Sequence, residues 1–156
     1  MAPRSFTRSA RTTAPIEEVW PLVGEAGRWS EWSFLDHSGL DAEGDPAPDG
    51  VGAVRRFTRY GKGSREQVLA WDPPHHLRYT ILSGFPVRDY LADVVLTSER
   101  GLGAEGPTGT TVTWSVSFEP KVAGTGVLLD AVLRGLIRQF VTSLCRYADG
   151  QAAAVG

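Results

Sequence analysis

An arginine and a glutamate on neighbouring predicted strands are the residues best suited to chemistry. Arg56 lies on a strand predicted over 51–60 and Glu66 on the next one, over 64–71, with a short hairpin turn at 61–63 between them. A buried arginine requires a partner, and a carboxylate can accept two of its hydrogen bonds. The pair could then orient a ligand carbonyl or carboxylate at the base of an apolar pocket. The alternative is a partly exposed cross-strand salt bridge, which contributes less than about 1 kcal/mol.

The inward face of the first of these strands is ambiguous. Arg56 and Thr58 alternate with Arg55 and Phe57, and either set can face a core. Because side chains alternate along a strand, an error of one residue exchanges the two sets. The sequence therefore predicts Arg56 as the partner of Glu66 and leaves Arg55 as the alternative.

Two tyrosines are the next candidates. Tyr79 and Tyr90 lie on the inward faces of strands predicted over 75–82 and 88–98. Each combines an apolar ring with one hydroxyl, which suits the orientation of a flat ligand, and a hydroxyl close to a reacting oxygen can donate a proton. The alternative is that both are core residues with satisfied hydroxyls. Trp114, on a strand over 109–119, is expected mainly to pack against the core.

Other kinds of site have little support in the sequence. His75 and His76 are adjacent and have no acidic residue or cysteine at ligand spacing, so no metal site is expected. No Ser-His-Asp or Cys-His arrangement, dinucleotide-binding glycine motif or phosphate-binding loop is present, and no cofactor is expected. Cys145 is the only cysteine, which excludes a disulfide within the chain.

The composition is that of an ordinary globular protein with a single domain, 1–156. The net charge of −2 argues against a nucleic-acid-binding function. No apolar run has the length of a membrane span, and the first residues lack the apolar run of a secretory signal. We therefore expect a cytoplasmic protein with no nucleic-acid partner and no membrane span, and a homodimer is compatible with the sequence.

A long helix is predicted over 123–150, and Gly150 is expected to end it. Three- and four-residue spacing gives this helix a broad apolar stripe, made of Leu129, Val132, Leu133, Leu136, Phe140, Leu144 and Tyr147. Most of the preceding chain alternates like short antiparallel strands, apart from a short helix beginning near Pro15, another over 26–32, and a glycine-rich loop over 99–109. The sequence thus predicts an α+β protein whose antiparallel sheet wraps around the long helix.

This order of elements resembles the START-like or Bet v 1-like superfamily, and within it the polyketide cyclase/dehydrase and lipid-transport branch. The residues that carry the resemblance occur along nearly the whole chain: Ala14-Pro15 through Val19-Trp20, Trp29 and Trp32, Gly52, Arg55-Arg56, Arg65-Glu66, Trp71-Asp72-Pro73-Pro74, Leu77-Arg78-Tyr79, Gly84-Phe85-Pro86, Tyr90, 109–114 and the closing helix. The resemblance implies a helix-grip fold. In that fold a curved antiparallel sheet of six or seven strands holds the C-terminal helix and leaves a hydrophobic tunnel.

The resemblance also implies a small aromatic, polyketide-like or acyl ligand in that tunnel. Trp29 and Trp32 could gate the tunnel mouth together with Phe85, or they could anchor two connections. Combining the resemblance with the strand faces, we expect the ligand to be bound by Trp32, Arg56, Glu66, Val68, Tyr79, Ile81, Phe85, Tyr90, Trp114, Phe118, Leu136 and Phe140.

Three functions are compatible with this prediction. The first is a carrier or binding protein without chemistry of its own. The second is a polyketide cyclase or aromatase-like enzyme, in which Arg56, Tyr79 and Tyr90 would polarise a carbonyl and handle protons as such groups do in aromatase/cyclase relatives. The third is a protein-interaction module, which would require an exposed apolar patch.

Overall fold

The computed structural model describes residues 2–100 and 109–155 and contains a sheet, two short helices and one long helix. The helices are α1 (Ile16–Gly24), α2 (Trp29–Trp32), which a 3-10 turn (Ala26–Arg28) precedes, and α3 (Gly126–Val155). The strands are β1 (Arg4–Thr12), β2 (His37–Ala42), β3 (Val54–Arg59), β4 (Lys62–Asp72), β5 (His76–Ser83), β6 (Val87–Glu99) and β7 (Gly109–Pro120). Most of the glycine-rich loop predicted over 99–109 lies outside the described residues.

The seven strands form one sheet in the order β1-β7-β6-β5-β4-β3-β2, and every pair of neighbours is antiparallel. The first strand crosses to pair with the last, so the remaining strands follow as a meander to the opposite edge. On β7 the alternating set Val112, Trp114, Val116 and Phe118 is buried, and the intervening Thr and Ser residues are less so. The sheet and α3 confirm the predicted α+β helix-grip architecture.

The long helix packs on the sheet with a face that differs in part from the predicted stripe. Val132 is 49% exposed, whereas Ile137 and Val141, absent from the predicted stripe, are buried. The prediction that Gly150 ends the helix is wrong, because α3 continues to Val155. The residues after Gly150 are good helix formers, and one glycine costs a helix only about 1 kcal/mol. No helix in the described part of the chain is long and apolar enough to cross a membrane.

The hairpin between β3 and β4 sets the geometry of the site described below. Its turn consists of two residues, Tyr60 and Gly61, with φ values of 53° and 74°. The turn predicted at 61–63 therefore begins one residue too late and ends two residues too late, and Lys62 already belongs to β4. Two central residues with positive φ are typical of the tight turns whose twist matches that of the flanking strands. This turn fixes the register of the two strands.

Candidate functional site

The inner face of the β3–β4 hairpin carries three cross-strand pairs. Arg55 lies opposite Glu66, Phe57 opposite Ser64, and Arg59 opposite Lys62. The first two pairs are buried, whereas Arg59 and Lys62 are exposed next to the turn. The hairpin therefore presents an ion pair at its deep end, an apolar ring and a hydroxyl in the middle, and two cations at its outer end.

The predicted pairing of Arg56 with Glu66 is wrong, and Arg55 takes the inward position. The side chain of Arg55 has no exposed surface, and its Nη2 lies 2.7 Å from Glu66 Oε1. Arg56 is 48% exposed, faces away from the core and pairs with Asp41 at 2.9 Å. Phe57 decides between the alternatives, because an aromatic ring must face the core and residues two apart on a strand share a face.

Aromatic rings surround the buried guanidinium of Arg55. Its Cζ lies 4.8 Å from the ring centre of Trp29, 5.0 Å from that of Phe57 and 4.7 Å from that of Tyr79. Its Nε and Nη1 have no hydrogen-bond partner among the described residues. The faces of the three rings attract the cation and offset part of the cost of removing it from water. Burial raises the pKa of Glu66, and the contact with Arg55 opposes that rise.

The two tyrosines extend this polar group along the neighbouring strands. The Tyr79 hydroxyl accepts a hydrogen bond from Trp114 Nε1 at 3.1 Å, and the ring centres of Tyr79 and Tyr90 are 6.3 Å apart. Burial raises the pKa of both hydroxyls well above their ordinary value, and the nearby Glu66 carboxylate raises both further. Both hydroxyls therefore keep their protons at neutral pH and can donate hydrogen bonds.

A cavity of about 320 Å³ lies between this hairpin, the strands beside it and α3. Seven of the residues predicted to bind ligand line it: Glu66, Tyr79, Ile81, Phe85, Tyr90, Leu136 and Phe140. Of the other predicted residues, Trp32, Val68, Trp114 and Phe118 are buried outside the lining, and Arg56 is on the opposite face of the sheet. Except for Arg56 their direction is inward as expected, but they do not reach the cavity; Trp114, for example, packs against the rings of Trp29 and Phe140, with the centres 5.5 Å and 5.9 Å apart.

Trp29 lines the cavity in place of Trp32. Its ring stacks on Phe57 with the centres 4.6 Å apart, and Trp32 packs behind it at 5.0 Å. The indole nitrogens of Trp29 and Trp32 donate to the backbone carbonyls of Val23 and Leu22, each at 2.8 Å. These are the contacts of residues that anchor α2 to α1. Sequence spacing placed both tryptophans on one short helix but contained no signal for which one reaches the cavity.

Several lining residues were not predicted to bind ligand. They include Phe34, Phe57, Leu133 and Ile137. Phe57 could have been found from its place two residues after Arg55, and Ile137 from its spacing of four after Leu133. Phe34 lies between α2 and β2, where no periodic pattern exists. Its ring stacks on Phe140 at 5.4 Å, a contact that only the folded chain defines.

Within the described ranges, no group of three or more His, Cys, Asp or Glu side chains is arranged to hold a metal ion. The arrangement of the site is that of a mainly apolar cavity with one cluster of polar groups. Such a cavity can bind a small molecule and orient it through hydrogen bonds.

Comparison with known proteins places this architecture in a family. The chain matches the family model described as polyketide cyclase/dehydrase and lipid transport over residues 3–149. No curated protein matches it in sequence. The family model covers almost the entire chain and includes every residue that lines the cavity.

Solved structures resemble the chain over nearly its whole length. An uncharacterised protein from Bacillus thuringiensis has a TM-score of 0.74 at 21% identity, covering 93% of this chain and 98% of that one. A START superfamily protein from Mycobacterium smegmatis has a TM-score of 0.73 at 11% identity, covering 97% and 99%. A point mutant of norcoclaurine synthase from Thalictrum flavum, in complex with a transition-state analogue, has a TM-score of 0.69 at 12% identity, covering 97% of each chain.

At these identities the structures show a shared fold. The family match shows more than the fold, because it rests on the sequence of nearly the whole chain. The match over 3–149 shows that this chain belongs to the polyketide cyclase/dehydrase and lipid transport family, and its helix-grip fold agrees with that.

Proposed function

We propose that this chain binds one small, largely apolar molecule in the cavity between the sheet and α3, as a carrier or binding protein. The observation that carries the proposal is the composition of the cavity wall. Most of the lining is aromatic or aliphatic, and its polar groups are concentrated on the β3–β4 hairpin and the adjoining tyrosines. A volume of about 320 Å³ is at the lower end of the range found for small-molecule sites.

The burial of the polar groups supports a role in orienting a ligand. Glu66, Tyr79 and Tyr90 line the cavity and are each at least nine-tenths buried. Buried polar groups are costly when they contribute only to packing. In a binding site the same groups fix the orientation of a ligand whose remaining surface is held by apolar contacts.

Native mass spectrometry of freshly purified protein, followed by organic extraction, tests the proposal. A co-purifying apolar molecule would support it, and the extracted compound would define the ligand class. If the protein purifies with an empty cavity, titration with a fluorescent amphipathic probe such as anilinonaphthalene sulfonate tests whether the cavity binds an aromatic molecule. A Leu136→Trp variant fills the cavity and should weaken probe binding by at least about tenfold.

Leu128→Trp is the matched control for that titration. Leu128 is on the same helix but is 67% exposed and does not line the cavity. Its replacement should leave probe affinity unchanged. Equal affinities for the wild type and both variants would mean that the probe binds elsewhere and would contradict the proposal.

An enzymatic function is the second candidate, and one observation favours it. Tyr90 and Glu66 line the cavity as proton-bearing and proton-accepting groups, and norcoclaurine synthase has the same fold. A protonated tyrosine could donate to a substrate carbonyl while Glu66 accepts a proton from the adjacent carbon. Tyr90→Phe should then abolish turnover of a poly-β-ketone substrate and leave its binding measurable. Absence of turnover by the wild type on such substrates would contradict this alternative.

A further inference from the structure

We propose that the ligand is an elongated molecule with a neutral hydroxyl at its inner end, an apolar body, and an anionic group at the cavity mouth. The inference rests on the proposed binding function and specifies the class of molecule for the same cavity. It follows from the three cross-strand pairs of the β3–β4 hairpin, which change in character from the deep end to the mouth.

The deep end presents a hydrogen-bond acceptor. Glu66 Oε1 accepts from Arg55 Nη2 at 2.7 Å, whereas Oε2 has no hydrogen-bond partner among the described residues. The side chain is only 9% exposed, and it lines the cavity. This carboxylate oxygen keeps some accessible surface in the cavity wall, where a donor on the ligand can bond to it.

The identity of that donor follows from the charges around it. A ligand carboxylate at the deep end would be repelled by Glu66, and a carbonyl has no proton to give. A ligand ammonium would be repelled by the guanidinium of Arg55, which is bonded to the same carboxylate. A neutral hydroxyl avoids both penalties, and its oxygen can accept a hydrogen bond from Tyr90, which also lines the cavity.

The mouth presents two cations. Arg59 and Lys62 line the outer part of the cavity, lie directly opposite each other, and have no ion-pair partner in the described chain. Like charges on opposite residues of two strands destabilise the pair. Arg59 is held over the rings of Phe34 and Tyr60, at 5.5 Å and 4.8 Å from their centres. An anionic group on the ligand would relieve the repulsion between two cations that are already positioned.

The hairpin also indicates the length of the molecule. Lys62 and Glu66 are four residues apart on β4, which corresponds to about 14 Å at about 3.4 Å per residue. Between them the hairpin contributes the Phe57 ring and the Ser64 side chain to the lining, Ile81 lies beside Glu66 on β5, and Phe140 of α3 also lines the cavity. The two polar ends of the ligand are therefore separated by a mainly apolar body.

A series of para-substituted biphenyls tests this inference by isothermal titration calorimetry. The full probe is a biphenyl with a hydroxyl at one end and a carboxylate at the other. Its relatives replace the hydroxyl by methoxy or acetyl, or omit the carboxylate, or omit both groups. We expect the full probe to bind at least about tenfold more tightly than the methoxy and acetyl relatives, because a hydrogen bond to a charged group is lost. Omission of the carboxylate should weaken binding about two- to fivefold.

Two double variants and one single variant assign the two ends of the probe. Arg59→Gln/Lys62→Gln should remove the advantage of the carboxylate and its dependence on salt, but keep the preference for hydroxyl over methoxy. Arg56→Gln/Arg65→Gln removes the same charge from the other face, where both arginines pair with Asp41, and should change neither preference. Glu66→Gln should reduce the preference for hydroxyl over acetyl, because an amide can also donate.

The possible results separate this inference from the proposed function. Binding of the unsubstituted biphenyl with no preference for hydroxyl or carboxylate would overturn the inference and leave the binding function intact. Tighter binding of the acetyl relative would also overturn it, since Glu66 would then act as a donor. No binding of any probe, in a protein that is folded by circular dichroism, would overturn the proposed function and the inference with it.

Discussion

Replacement of Arg55 by methionine should destabilise the protein far more than the same replacement at its neighbour Arg56. Methionine keeps much of the volume and can pack against the rings around Arg55, so the main loss is the charge. Glu66 would then be a carboxylate whose side chain is only 9% exposed and has lost its partner. Breaking a buried pair in this way costs about 3–5 kcal/mol. The free energy of unfolding of a typical protein is only about 5–15 kcal/mol, so the expected loss is a large share of it.

Arg56→Met provides the matched control on the same strand. Arg56 is 48% exposed and its pair with Asp41 is at the surface. Loss of such a pair should cost less than about 1 kcal/mol. Urea unfolding followed by tryptophan fluorescence measures the free energy of unfolding of both variants. Trp29 reports directly on the surroundings of Arg55, because its ring contacts the Arg55 guanidinium. Equal costs for the two replacements would refute the assignment of Arg55 as the buried partner of Glu66.

The double variant Arg55→Met/Glu66→Leu tests the reasoning about charge. It removes both buried charges and leaves apolar side chains among Trp29, Phe57 and Tyr79. We expect its stability to equal or exceed that of the wild type by up to about 4 kcal/mol, because the cost of removing both ions from water disappears. A double variant as unstable as Arg55→Met would show that packing, not the unpaired carboxylate, explains the loss. Recovery of stability with loss of ligand binding would indicate that the pair is kept for function.

Three further predictions concern the site and the core. Burial raises the pKa of Tyr90 above its value in the unfolded chain. The free energy of unfolding should therefore fall as the pH rises above about 10, by up to about 1.4 kcal/mol per pH unit. Tyr90→Phe should reduce this slope in urea titrations. Leu133→Ala should lower the free energy of unfolding by about 2–5 kcal/mol, and Val132→Ala by less than about 0.5 kcal/mol, because only Leu133 is fully buried. Thermal unfolding measures both. Burial raises the pKa of Cys145 to about 12, so a thiol reagent should label it slowly unless urea unfolds the chain.

The sequence was sufficient for the architecture because strand and helix periodicity are local properties. The alternation of Val112, Trp114, Val116 and Phe118 predicted a strand with one buried face, and all four are at most 2% exposed. The same reasoning predicted that Tyr79 and Tyr90 face inward. The end of α3 was not predictable in this way, because one glycine weighs little against favourable residues on both sides.

Only the tertiary structure decided which inward residues meet in the cavity. Phe57 indicates which face of β3 is buried, but the position of Arg55 opposite Glu66 depends on a two-residue turn whose exact place sequence spacing did not give. Trp114 and Phe118 face the core as predicted but do not line the cavity, because periodicity defines the face of a strand and not the part of it that the helices cover. The same register of β3 and β4 places Arg59 opposite Lys62 at the mouth of the cavity. Contacts between residues far apart in sequence are set by the packing of whole elements, and for that reason the polar pattern of this cavity emerged only from the folded chain.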